Sequence, residues 1–282
     1  MFYGLAAALG FGLADLFAAI SGRRIGAFLT VMVAQSGSLV ALAAAGLLLG
    51  EPFHATRAEI VTLLTNGVFA AAAYVMLYRA LELGPVAVVS PIVAAYAAIT
   101  VVLAVVLLHE SLRGFVLVGT VTTLAGAVLA SGDLRSLGGH ERLLKAGVPW
   151  ALVSMVLFGG VTYVLGRYSQ SAGWYSASLL SRIGNTAAVL VFVWFVRNRL
   201  PRRPGGMNLA LAVGVGLADI LGVVAFARGA ELGFVSVVTA ATAAFIIIPV
   251  AGGLLMYKER PAPNQAVGVA MVGLGLVLLG LG

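Results

Sequence analysis

The sequence contains no cysteine and little charge: of 282 residues, Asp, Glu, Lys and Arg together make up 10%. The missing cysteine excludes a disulfide framework, a thiolate metal site and a cysteine nucleophile. Histidine is almost as scarce. His54, His109 and His140 are scattered near predicted loops, so no metal-ligand set or acid–base cluster is visible. There is no Gly-x-x-x-x-Gly-Lys-[Ser/Thr] segment, which removes ATP as an energy source within this chain. Nor is there a Gly-x-Ser-x-Gly or metalloprotease motif, and no loop is long enough to hold a separate soluble domain. What is present is apolar: 61% of residues are hydrophobic and the mean hydropathy is +1.09. A typical soluble domain is about 45–50% apolar and about 25% charged. A water-soluble core of this size cannot bury so much apolar surface. The composition therefore predicts an all-α integral membrane protein. The basic balance, a net charge of +7, then marks cytoplasmic loops rather than a nucleic-acid surface. The interleaved aromatics of a base-stacking surface are missing.

A membrane-crossing helix needs about 20 apolar residues. Ten such segments fit, near 2–20, 28–49, 60–80, 86–108, 114–131, 148–168, 174–196, 208–228, 233–256 and 264–281. Clusters such as Ser21-Gly22-Arg23-Arg24, Gly50-Glu51-Pro52 and His109-Glu110-Ser111 separate them. The first segment lacks a preceding basic residue and a small-residue cleavage site, so it reads as a retained span. Of the 17 basic residues, twelve fall on one side and four on the other, with Arg182 inside a span. The richer side is expected to be cytoplasmic, and both termini to face outward.

The chain repeats itself. An offset of 149 residues aligns Arg79-Ala80-Leu81-Glu82-Leu83-Gly84 with Arg228-Gly229-Ala230-Glu231-Leu232-Gly233, and Val88-Val89-Ser90 with Val237-Val238-Thr239. Tyr96 falls on Phe245, His109-Glu110 on Lys258-Glu259, and Gly119 and Gly126 on Gly268 and Gly275. An offset of 147 aligns Phe11-Gly12 with Phe158-Gly159. Five spans per half is an odd number, so the second half is expected upside down relative to the first, an architecture of transporters. The expected organisation is a first repeat over 1–132, a cytoplasmic connector over 133–147 and a second repeat over 148–282.

On these residues, with Tyr78-Arg79-Ala80-Leu81, Val88-Val89-Ser90-Pro91 and the Glu110 and Glu259 positions, the chain resembles the drug/metabolite transporter superfamily with two EamA-type repeats. The resemblance covers nearly the whole chain. It implies ten transmembrane helices as two inverted five-helix repeats, with spans 1–4 and 6–9 around a cavity and spans 5 and 10 at the periphery. It also implies a secondary transporter of the cell (inner) membrane that exports amino acids or related small metabolites by alternating access. Import of choline-like compounds and flipping of sugar-nucleotide or lipid-linked substrates are the alternatives. The expected partners are a small-molecule substrate and the bilayer. No cofactor, metal or nucleic acid is expected, and a monomer and a homodimer both remain open. The second repeat departs from the pattern: Ala240 stands opposite Pro91, and Pro249 comes later, opposite Thr100.

Ionisable residues inside a membrane point by default to a functional site. Asp15, Arg182 and Asp219 are such residues. At 1.5 Å per residue, Arg182 and Asp219 lie roughly 12 and 13 Å from the same face, so they are expected to share one cavity, paired or each holding one end of a zwitterion. The same arithmetic places Asp15 and Gln35 roughly 8–11 Å from the cytoplasmic face, as an inner polar station. Asp15 or Asp219 would carry a coupled proton if transport is proton-driven. Tyr74, Tyr96 and Tyr163 supply rings for an amino group or quaternary amine, and Asn185 a polar contact. Pro91 and Pro249 remove backbone donors and are expected to act as gating kinks. Glu110 reads as a solvated loop charge, and the Gly119/Gly126 and Gly268/Gly275 pairs as close helix contacts.

Overall fold

The computed structural model describes residues 1–84, 86–131, 141–196, 205–249, 251–252 and 263–281, and among them every regular element is a helix. In chain order these are α1 (Phe2–Ile25), α2 (Ala27–Leu49), α3 (Arg57–Leu83), α4 (Val86–Ala94), α5 (Tyr96–Leu107), α6 (Gly114–Ser131), α7 (Glu141–Ala172), α8 (Trp174–Val196), α9 (Gly206–Leu232) and α10 (Val235–Thr242). A 3-10 turn (Ala243–Ile246) and α11 (Pro263–Leu281) complete the order. Six helices are long and apolar enough to cross a membrane: α1, α2, α3, α8, α9 and the Gly147–Ala172 part of α7. The shorter apolar helices run over Ile92–Leu107, Gly114–Gly126, Val235–Pro249 and Ala266–Leu279. Much of the connector expected over 133–147, the basic run Arg197–Arg203 and Glu259 lie outside the described residues.

Local chemistry sets the helix ends. The first break was expected at Ser21–Arg24, yet α1 continues to Ile25 and the chain reverses at Gly26 alone. Gly26 has φ 84, a backbone state open to glycine at little cost. Ser21 stays helical because it is buried and its hydroxyl bonds that of Thr30 across the turn, at 3.0 Å. At the start of α3, Thr56 and Glu59 form a reciprocal capping box.

The fourth and ninth apolar segments are both broken, at matching places. The fourth breaks between Ala94 and Tyr96, the ninth at the 3-10 turn from Ala243, an offset of 149 residues. The expected kinks at Pro91 and Pro249 are corrected accordingly. Pro91 lies in α4 just ahead of its break, where its missing N–H weakens the helix. Pro249 lies beyond the 3-10 turn in helical backbone and does not mark the break.

Lipid is as apolar as a leucine side chain, so helices in a membrane associate through close packing and polar contacts rather than through burial from water. The small residues do this here. A Cβ on Gly67 would overlap the Ser181 carbonyl oxygen where α3 crosses α8, and one on Gly216 would overlap the Ala34 carbonyl where α9 crosses α2. Gly10 meets Gly222 between α1 and α9. Gly126 meets the Gly268 carbonyl and Gly119 the Gly275 carbonyl between α6 and α11, which pack chiefly on one another. Outward-facing Leu47, Leu48, Val102 and Phe195 are exposed, as lipid-facing positions would be.

Glu110 corrects the expectation of a solvated charge. It is 8% exposed, and its carboxylate accepts the Val235 and Ser236 N–H groups at 2.7 and 2.9 Å and the Ser236 hydroxyl. The first amides of a helix have no partner within it and carry partial positive charge. Glu110 supplies both acceptor and countercharge to α10 from the loop after α5. The chain enters the broken segment at a fixed point.

Two outcomes follow for thermal unfolding in detergent. Gly67→Ala lowers stability by about 1–3 kcal/mol through overpacking, whereas Gly37→Ala, with open space around its Cβ, does not. Glu110→Ala lowers it by about 1–3 kcal/mol because buried amides of α10 lose their acceptor.

Candidate functional site

Between the helices lies a cavity of about 90 Å³. One water needs about 10–15 Å³, so there is room for several waters or one small solute. Each wall is a helical stripe. On α8 it is Ser178, Ser181, Arg182 and Asn185; on α3 it is Asn66, Ala70, Tyr74, Leu77 and Tyr78; on α9 it is Asp219, Val223 and Phe226. These spacings of three, four and seven place the residues on one face of each helix. Phe11 and Asp15 of α1, Tyr96 of α5, Phe158 of α7 and Phe245 of the 3-10 turn line the rest. Neither α6 nor α11 contributes to the lining.

At the centre, Arg182 Nη2 pairs with Asp219 Oδ2 at 2.8 Å, with the two side chains 3% and 2% exposed. The Tyr74 hydroxyl donates to Asp219 Oδ1 at 2.6 Å, and Arg182 Nη1 donates to Gln35 Oε1. The guanidinium also lies 5.8 Å from the Tyr74 ring centre. The cluster ties α2, α3, α8 and α9 together. Taking two charges out of water is costly, and their attraction offsets that cost only when the remaining hydrogen bonds are also made. Gln35 and Tyr74 make two of them. Asn66 Nδ2 is bonded in turn to the Val161 carbonyl and the Ser181 hydroxyl, both at 3.3 Å.

Of the residues singled out in the sequence, Asp15, Tyr74, Tyr96, Arg182, Asn185 and Asp219 all line this one cavity. Arg182 and Asp219 meet directly, one of the two expected arrangements. Two placements are corrected. Gln35 does not join Asp15 in an inner station; its side chain is engaged by Arg182, whose long stem reaches it. Tyr163 is half-buried and away from the cavity, because on α7 the facing stripe is Phe158, Val161, Thr162 and Leu165, and Tyr163 falls off it. Ser178, Ser181, Phe158 and Phe245 were not singled out. The serines lie at helical spacing from Arg182 and Asn185, a signal that was available.

A family model describing the EamA-like transporter family matches residues 1–132 and again 145–281. The chain belongs to the EamA-like transporter family. This agrees with the superfamily resemblance read from the repeats and makes the protein a multi-pass membrane transporter of small substrates. No curated protein matches the chain. Among solved structures 29 chains are similar. One, described only as a crystal structure of a protein, has a TM-score of 0.77 at 17% identity, with 99% of this chain and 96% of that chain covered. At that identity the likeness concerns the fold. In this EamA-like transporter the cavity is lined from both matched stretches: α1, α3, α4 and α5 from the first, α7, α8, α9 and the 3-10 turn from the second.

The bond between Tyr74 and Asp219 has a measurable weight. Tyr74→Phe keeps the ring and removes the donor, and lowers stability by about 1.5–3 kcal/mol, the range for hydrogen bonds to a charged group. Thermal unfolding of the purified variant beside wild type measures it.

Proposed function

We propose that the protein is a secondary transporter that exports amino acids or related small metabolites across the cell (inner) membrane. The chain forms inverted repeats of five spans each, 1–132 and 148–282, joined by a cytoplasmic connector over 133–147. The broken fourth and ninth segments each count as one span. Substrate binds in the cavity between the repeats, where Asp15, Tyr74, Tyr96, Arg182, Asn185 and Asp219 provide its polar and aromatic contacts. Gln35 acts through Arg182 as a positioning residue.

The observation that carries this reading is a cavity lined from both matched stretches, with a buried ion pair in its otherwise largely apolar wall. Intramembrane charges are expensive to keep and mark substrate or ion paths. Two breaks in the helices support a mechanism of alternating access. The two breaks at matching positions, Ala94–Tyr96 and Ala243–Ile246, let the halves of each broken segment move separately around the cavity. With no nucleotide motif, flux is driven by the substrate gradient, by exchange, or by a proton carried on Asp15 or Asp219.

Counterflow of labelled amino acids in proteoliposomes tests the reading. Wild type is expected to exchange label and to show competition by a defined subset of unlabelled amino acids. Thr162→Trp fills the cavity from α7 while leaving Arg182 and Asp219 themselves unchanged, and is expected to lower flux at least tenfold while the protein remains folded. Unchanged flux in that variant would remove the cavity from the transport path.

A further inference from the structure

The cavity divides into a part whose charges are paired and a part with an unpaired acid group. Arg182 and Asp219 cancel one another, and the guanidinium is further engaged by Gln35 and sits over Tyr74. The Tyr74 hydroxyl and the Asn66 amide nitrogen are also committed to protein acceptors. These donors of the wall are therefore taken.

The acceptors are not. Asp15 is 7% exposed and lines the cavity, and no ion pair to it exists among the described residues. The neutral Ser90 hydroxyl lies beside it, and the charged side chain within its electrostatic reach is Asp219, which has the same sign. The Tyr78 and Tyr96 rings also lie within its reach. Two further buried oxygens in the lining, Ser178 Oγ and Asn185 Oδ1, have no hydrogen-bond partner. An unpaired carboxyl group, the Asn185 amide oxygen and the Ser178 hydroxyl, which accepts as well as donates, give the site acceptors for a positively charged hydrogen-bond donor.

The rings agree with this. Tyr74, Phe158, Tyr96 and Phe245 form a continuous row, with centroids 4.9 Å apart for Tyr74–Phe158, 6.0 Å for Phe158–Tyr96 and 6.3 Å for Tyr96–Phe245. Arg182 covers the first of them. Among the described residues no cation covers the other three. Ring faces attract ammonium groups most strongly when desolvated.

We infer that the cavity selects organic cations: the substrate's ammonium group pairs with Asp15 against Tyr96, Phe158 and Phe245, and no carboxylate is needed because Arg182 is already neutralised by Asp219. The inference rests on the transport reading of this cavity and narrows its substrates to molecules that bear an ammonium group, amino acids among them, with the acid group dispensable. Asp15 is the specificity-determining residue, and the Arg182–Asp219 pair offers a wall contact without net charge.

Three ring-matched probes test this on the full-length protein in detergent by calorimetric titration: phenethylamine, phenylalanine and 3-phenylpropionate. Phenethylamine is expected to bind at least tenfold more tightly than 3-phenylpropionate and no more weakly than phenylalanine. Asp15→Asn, close in shape, is expected to weaken phenethylamine at least tenfold, and Asp15→Glu to restore most of the loss. Equal or tighter binding of 3-phenylpropionate, tighter binding of phenylalanine, absence of phenethylamine binding, or an unchanged affinity in Asp15→Asn would each overturn the assignment. The wild-type probe series stands even where the variant fails to fold. The transport reading fails separately. Amine binding without flux in proteoliposomes keeps the cation site and removes transport, and amino-acid flux insensitive to Asp15→Asn keeps transport and removes the cation site.

Discussion

The ion pair between Arg182 and Asp219 is the constraint on which the rest of the core depends. Neither residue could stay charged alone at this depth, because a buried unpaired ion costs several kcal/mol even after relaxation. The pair settles that cost only with help from Gln35 on α2 and Tyr74 on α3, which satisfy atoms that the pair itself leaves open. Four helices are thereby held in one register. The position of the cavity follows, since its wall consists of the faces of α3, α8 and α9 that the cluster turns inward. Its electrostatics follow as well. A neutralised centre leaves the Asp15 carboxyl as the unpaired acid group that faces the space.

The helices can approach closely enough for this cluster because their crossings are built from small residues. Gly67 against Ser181 and Gly216 against Ala34 bring backbones together beside Arg182 and Asp219, the residues that must meet. Where the backbone is this close, polar side chains reach across to main-chain oxygens. Ser154 bonds the Ala73 carbonyl, Thr100 the Gly159 carbonyl and Thr186 the Gln35 carbonyl, at 2.9 to 3.1 Å. These contacts join α3 to α7, α5 to α7 and α2 to α8. Without an exclusion of water to drive association, such packing and bonding specify the arrangement.

Much of this was legible in the sequence, and the gaps have physical causes. Apolar length fixes where helices run, because each membrane helix must satisfy its own backbone. The depth of a charge follows from the helical rise, which is why Arg182 and Asp219 could be matched before their contact was seen. Depth of the backbone does not give the reach of a side chain, and so Gln35 was assigned to Asp15 while Arg182 extends to it. Helix phase was used too sparingly. Ser178 and Ser181 share a face with Arg182 and Asn185, whereas Tyr163 does not share the face of Phe158 and Val161. Glu110 was misread because its partners, the first amides of α10, lie 125 residues further on, and only the folded chain brings them together. The break in the ninth segment at Ala243 falls where the repeat offset places it rather than at Pro249, so there the offset is the better guide than the nearest proline.

The central claim is that Arg182 and Asp219 are one neutral unit of the core. A double-mutant cycle on unfolding stability with Arg182→Met, Asp219→Leu and their combination measures this most directly. Each single change is predicted to cost about 3–5 kcal/mol by leaving a buried charge alone, and the double variant to recover most of that loss. Additive losses, with the double variant as unstable as the two singles summed, would show that the residues act independently and would contradict the account.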